Sequence, residues 1–81
     1  MKTVIVAGGF DDFGSRHARF LEEAARRGPV RVLIHPDETV ALLSGLPPRF
    51  PEMERLYLVR AMRFVDRAEI GPPLRSAHVL P

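Results

Sequence analysis

The residues best placed to do chemistry lie near the start of the chain, where Gly8, Gly9, Asp11, Asp12 and Gly14 lead into Ser15, Arg16 and His17. Glycines and acidic turn formers at that density read as a loop. A loop that leaves a strand and feeds a helix brings unpaired N–H groups and the positive end of a helix dipole to one point, which suits an anion such as phosphate. His17 falls in the first turn of the following helix and adds an imidazole donor. A plainer role is open to the same residues: the glycines make a tight turn and His17 packs on an apolar stripe.

Other chemistries fit less well. The glycines lack the three-fold spacing of a dinucleotide loop, and no Gly-Lys-Ser/Thr follows them. His17, His35 and His78 are isolated, so no pair has short metal-ligand spacing. The absence of cysteine removes thiolate chemistry and disulfides. Ser15, Ser44 and Ser76 lack the setting of a nucleophile elbow. Arg60, Arg63 and Arg67 recur at three- and four-residue spacing and would suit phosphates. Such a row more often forms a solvated helix face, so nucleic acid is not the expected partner.

The elements that must position the loop follow from periodicity. Residues 3–7 are a β-branched run that suits a strand covered on both faces of a parallel sheet. Residues 15–27 turn helical, with His17, Phe20, Leu21, Ala24 and Ala25 on one stripe. Glu22–Arg26 and Glu23–Arg27 pair on the other side, and Gly28-Pro29 stops the helix. Residues 30–35 make a second buried strand, which completes a βαβ unit. Pro36-Asp37-Glu38 opens a short helix that Gly45 closes after Ser44. A stiff connector, residues 46–50, leads to a helix over about 51–65. Pro51 fits its first position, and Met53, Leu56, Tyr57, Met62 and Val65 are its expected core residues. A third strand falls near residues 68–70, and residues 77–80 suit a fourth. The expected architecture is an α/β three-layer fold with a parallel sheet in the order β-α-β-α-α-β.

With 81 residues, 46% hydrophobic and 27% charged, the composition is that of one globular domain. The net charge of +2 selects no acidic partner. The apolar run at residues 3–7 is too short for a signal-peptide core of about 7–15 residues or a spanning helix of about 20. A cytoplasmic location without membrane association is therefore expected.

The segment Gly8-Gly9-Phe10-Asp11-Asp12-Phe13-Gly14-Ser15-Arg16-His17 resembles the first signature of the cytidylyltransferase-like nucleotidyltransferases, typified by glycerol-3-phosphate cytidylyltransferase. That signature runs Gly-Thr-Phe-Asp, two residues, then His-x-Gly-His, between the first strand and the first helix. Gly8, Phe10, Asp11, Phe13 and His17 match in register. Gly14 stands at the first histidine and Arg16 at the glycine, so the signature is degenerate. Glu54-Arg55 and Arg63-Phe64-Val65-Asp66 are similar to the family's Glu-Arg and Arg-Tyr-Val-Asp elements. Ile34-His35-Pro36-Asp37-Glu38 sits where the family has its second strand and an Asp-Glu turn. The resemblance spans residues 2 to about 70.

The resemblance implies a small Rossmann-like domain over residues 1–81 that lacks the family's usual C-terminal part, including its Ile-Ser-Thr-Thr-like motif. It implies transfer of a nucleotidyl group from CTP or ATP to a phosphorylated small molecule, with release of pyrophosphate and help from Mg²⁺. Gly8, Gly9 and Phe10 would offer backbone contacts to the nucleotide, and His17 would touch its phosphates. Arg16 would either block the triphosphate or replace the missing imidazole as a phosphate ligand. On the second reading Arg16 joins His17 as a catalytic residue. Asp11 would line the nucleotide or acceptor pocket, with Arg49 on the acceptor side. Arg55 and Arg63 would contact phosphate or acceptor, and Asp66 would brace a turn. Relatives form dimers, so a homodimer is expected. Loss of one preorganised donor costs about 10²–10³ in rate. A second reading therefore stays open: a non-catalytic relative that binds nucleotide or phosphate, or serves in assembly.

Overall fold

Val30–Ile34 is the strand around which the other elements gather. The structure, a computed structural model, describes residues 2–12 and 14–73. In chain order its elements are β1 (Val4–Gly8), α1 (Ser15–Ala25), β2 (Val30–Ile34), α2 (Asp37–Ser44), α3 (Glu52–Arg60) and β3 (Arg67–Ile70). The sheet order is β1-β2-β3, with both pairings parallel. The expected order of elements is therefore the observed one. The fourth strand expected at 77–80, His78 and the signature's Phe13 lie outside the described residues.

Register explains the core. Val6, Val32 and Ala68 are aligned across the sheet, as are Gly8, Ile34 and Ile70. Side chains alternate between faces with period two, so these residues share one face with Val4 and Val30. That face meets Leu21 and Ala24 of α1 and Leu56 and Val59 of α3 in a single apolar cluster. Both crossovers step in the same direction along the sheet, and right-handed connections then place α1 and α3 on the same side.

The opposite face carries Ile5, Ala7, Arg31, Leu33, Arg67 and Glu69. Ile5 is 60% exposed, so β1 is covered on one face only. Among the described residues nothing covers Ile5 on that face. On this open face Arg31 Nε donates to Glu69 Oε1 at 2.6 Å, and Nη2 pairs with the same oxygen at 2.6 Å.

Three helix details also differ from expectation. α3 ends at Arg60, well before Val65, because tight turns follow: Met62 N–H donates to the Val59 carbonyl and Val65 N–H to that of Met62. Its inward stripe is Arg55, Leu56 and Val59, whereas Met53 and Tyr57 are 63% and 74% exposed. Pro51 is the cap residue, one position before the helix. Arg60, one of the arginine row, donates from Nε to the Ala68 carbonyl at 3.2 Å. Gly45 closes α2 with φ of 79°, the left-handed conformation that favours glycine.

Candidate functional site

β1 delivers Gly8 to the carboxyl end of the sheet, and residues 9–14 carry the chain from there to α1. The His35 N–H donates to the Gly8 carbonyl at 2.8 Å, which extends the ladder by one bond. Phe10 then adopts φ of 52°. This left-handed conformation costs a phenylalanine about 1–3 kcal/mol and persists only where the surroundings enforce it. Burial of the ring supplies that enforcement, since Phe10 is 8% exposed. Gly8 makes the room, because a Cβ there would lie 3.1 Å from Phe10 Cε2. The Phe10 ring in turn stands 5.6 Å from that of His17, centroid to centroid.

α1 starts with no side-chain cap, because its cap residue is Gly14. His17 reaches back instead: the Gly14 N–H donates to its Nδ1 at 3.3 Å. With Nδ1 accepting, the neutral ring carries its hydrogen on Nε2, which becomes the donor nitrogen. A hollow of about 250 Å³ opens at this helix start, lined by Asp12, Gly14, Ser15, Arg16 and His17. Uncapped first-turn N–H groups, a guanidinium and an imidazole donor together favour an anion there.

Beneath the loop, Arg55 is 2% exposed. Its Nη1 donates to the carbonyls of Gly9 and His35 at 2.7 Å each, Nε to that of Phe50 at 3.0 Å, and Nη2 to Asp37 Oδ1 at 2.7 Å. The Asp37 N–H meets Glu52 Oε1 at 2.9 Å, so the first residue of α3 caps α2. One guanidinium therefore ties the loop, the end of β2, α2 and the connector to α3. Burial and the Arg55 charge both hold His35 below its ordinary pKa.

Asp11 is the second tie. Its Oδ2 accepts the Arg49 N–H at 2.7 Å and its Oδ1 the Phe50 N–H at 2.9 Å. Burial pushes its carboxyl up. The two N–H donors and the charges of Arg55 and Arg49 outweigh that, so its pKa ends lowered.

The structure therefore gathers Gly8, Gly9, Phe10, Asp11, Arg16 and His17 at one edge of the sheet, with Arg49 beside them. Two expectations are corrected. Arg55 lies at the site but is sealed beneath it, its donors spent on protein oxygens, so it is a strut and not a phosphate ligand. Arg63 lies at the other end: β3 starts beside the start of β2, where the Asp66 N–H meets the Val30 carbonyl at 2.8 Å. A five-residue strand separates the two edges by about 13 Å. Arg63 stacks instead over the Phe64 ring, 5.0 Å from its centroid. Arg55 shares the inward stripe of α3 with Leu56 and Val59, a face that the sheet selects.

No protein-family model matches the sequence. The chain is 38% identical over 71 residues to an FAD synthase of Pyrococcus horikoshii, covering 86% of this chain and 48% of that one. It is 40% identical over 76 residues to an FAD synthase of Methanopyrus kandleri, covering 89% and 50%. Among solved structures, the lipopolysaccharide core biosynthesis protein from Thermoplasma volcanium GSS1 matches with a TM-score of 0.82 at 33% identity, over 89% of this chain and 59% of that one. The likeness to FAD synthases agrees with the resemblance to the cytidylyltransferase-like nucleotidyltransferases. It spans about half the length of the curated relatives it matches. The helix-start hollow and the Gly8–Phe10 turn are where the sequence resemblance and the local geometry coincide. No helix among the described residues is long and apolar enough to cross a membrane.

Proposed function

We propose that this chain carries the phosphate-holding part of a nucleotidyl-transfer site that uses ATP and passes the adenylyl group to the phosphate of FMN. The observation that carries the reading is the start of α1: Gly14 offers it no side-chain cap, and Arg16 and His17 line the hollow that opens there. ATP is favoured over CTP, and FMN over glycerol 3-phosphate, because relatives at 38–40% identity are FAD synthases. FAD is FMN joined to an adenylyl group through a pyrophosphate link. Its synthesis from ATP has the FMN phosphate oxygen attack the α-phosphorus. The bond to the bridging oxygen breaks and pyrophosphate leaves.

Positioning and charge neutralisation supply most of the catalysis in such transfers. His17 and Arg16 hold the triphosphate, and Arg16 takes the part of the imidazole absent at Gly14. Main-chain groups of Gly8, Gly9 and Phe10 approach the nucleotide, and Arg55 fixes the loop from below. Among the described residues no three His, Cys, Asp or Glu side chains gather to cage a cation. Mg²⁺ ordinarily binds through one or two carboxylates plus substrate phosphates, a pattern that fits Asp12 at the rim of the hollow. When bound, Mg²⁺ neutralises phosphate charge. The expected homodimer is tested by sedimentation, where a monomer at micromolar concentration would remove it.

Thermal unfolding with ATP or CTP, with and without Mg²⁺, tests the reading. ATP at ten times its Kd stabilises by about 1.4 kcal/mol, a rise of about 6–11 °C for a domain this small. The rise is expected to vanish in His17→Ala and to shrink in Arg16→Ala. Pyrophosphate release with FMN is the activity readout. A melting temperature unmoved by either nucleotide would refute the proposal, and a shift without pyrophosphate release would leave binding alone.

A further inference from the structure

Phe50 and Tyr57 are 54% and 74% exposed, a placement that core packing does not explain. With the buried ring of Phe10 they wall a second hollow, of about 500 Å³. That volume lies within the usual range for small-molecule sites, about 300–1,000 Å³. The position of Phe50 is set, because Asp11 accepts the N–H groups of both Arg49 and Phe50. The signature residue Asp11 therefore acts as a positioning residue for an aromatic wall.

The charges of this hollow differ from those of the His17 hollow. Asp11, Asp12 and Glu54 line it. Arg55, the cation at its base, is spent on three carbonyls and Asp37. Carboxylates repel phosphate but accept hydrogen bonds from a neutral ring. The anion-favouring groups, Arg16 and His17, sit in the other hollow, and Asp12 lines both. A molecule with a flat ring at one end and a phosphate at the other matches that polarity.

Resting on the adenylyl-transfer reading, we propose that the hollow between Phe10, Phe50 and Tyr57 holds the planar ring of the acceptor, a neutral heteroaromatic system with an N–H donor such as a flavin. The ring stacks on the exposed aromatic side chains and turns its N–H toward the rim carboxylates. The phosphate reaches past Asp12 to the His17 hollow. An adenine ring shares this chemistry, so the experiment must separate the two.

Riboflavin, which has the ring without the phosphate, is the discriminating probe, because stacking on tyrosine quenches flavin fluorescence. Wild-type protein is expected to quench riboflavin. Tyr57→Leu and Phe50→Leu, both at exposed positions, are expected to weaken binding about 5- to 150-fold, as loss of a stacking partner does. His17→Ala is expected to weaken FMN far more than riboflavin. Circular dichroism of each variant separates lost binding from lost fold. No quenching by the wild type, equal quenching by Tyr57→Leu, or Tyr57-dependent binding of adenosine in place of riboflavin would overturn the assignment. The thermal shift with ATP, lost in His17→Ala, reads the other hollow, so failure of the ring assignment and failure of adenylyl transfer give different results.

Discussion

Replacing Arg55 with methionine is the sharpest test of how the site is held. The side chain is 2% exposed and donates to the carbonyls of Gly9, His35 and Phe50 and to Asp37. Methionine keeps much of the volume, so the loss is mainly polar. Each carbonyl left buried without a donor costs about 1–3 kcal/mol. Water reaches part of the rim, since the Asp37 side chain is 45% exposed, which lowers the share of the ion pair. Breaking a buried pair from one side costs about 3–5 kcal/mol in comparable cases. A chain of 81 residues has a total stability of about 4–12 kcal/mol, so Arg55→Met removes a large fraction of it. Urea unfolding followed by far-ultraviolet circular dichroism measures this from the shift in midpoint at constant slope. Arg55→Lys keeps the charge but not the fork that reaches several oxygens at once, and should recover only part of the loss. A cost below about 1 kcal/mol for Arg55→Met, or a lysine variant equal to wild type, would refute the strut.

Other outcomes follow from the same geometry. Gly8→Ala places a Cβ 3.1 Å from Phe10 Cε2 and should cost about 1–3 kcal/mol by displacing the ring, whereas Gly14→Ala meets nothing within 4 Å and should stay within about 0.5 kcal/mol; paired thermal melts compare them. His35 is held below its ordinary 6.5, so the unfolded chain takes up that proton first, and stability should fall as pH drops through 6.5. Asp11 and Glu69 are held below their ordinary 3.8 and 4.5, so their contribution is present above those values and is lost at lower pH. Urea midpoints from pH 8 to pH 3 resolve the two windows, and His35→Asn should flatten the upper one. Asp11→Ala removes the acceptor of two N–H groups that water can reach, so it should cost only about 1 kcal/mol while weakening riboflavin quenching, which separates positioning from folding.

Much of this molecule is legible one segment at a time. The β-branched run before Gly8, the stripe of Leu21 and Ala24, and the glycines after each of the first two helices are local signals. They placed two strands, two helices and the loop between them to within a residue or two. The phosphate-favouring helix start is also local, since Gly14 and His17 are three residues apart. α3 read poorly because apolar residues surround it. Met53 and Tyr57 satisfy the helical period as well as Val59 does, and only the position of the sheet decides which face turns inward.

What the sequence by itself determined, then, is the order of elements and the character of the loop, because hydrophobic period and backbone preference act over a few residues. Tertiary structure decided the uses of the charged residues. Arg55 meets Gly9 across 46 positions, and Asp11 meets Arg49 across 38. Whether a guanidinium grips a substrate or its own fold depends on which oxygens surround it once the chain has closed. Arg55 and Arg63 looked equivalent in sequence, but the crossover to β3 carried one to the site and the other to the far end of the sheet.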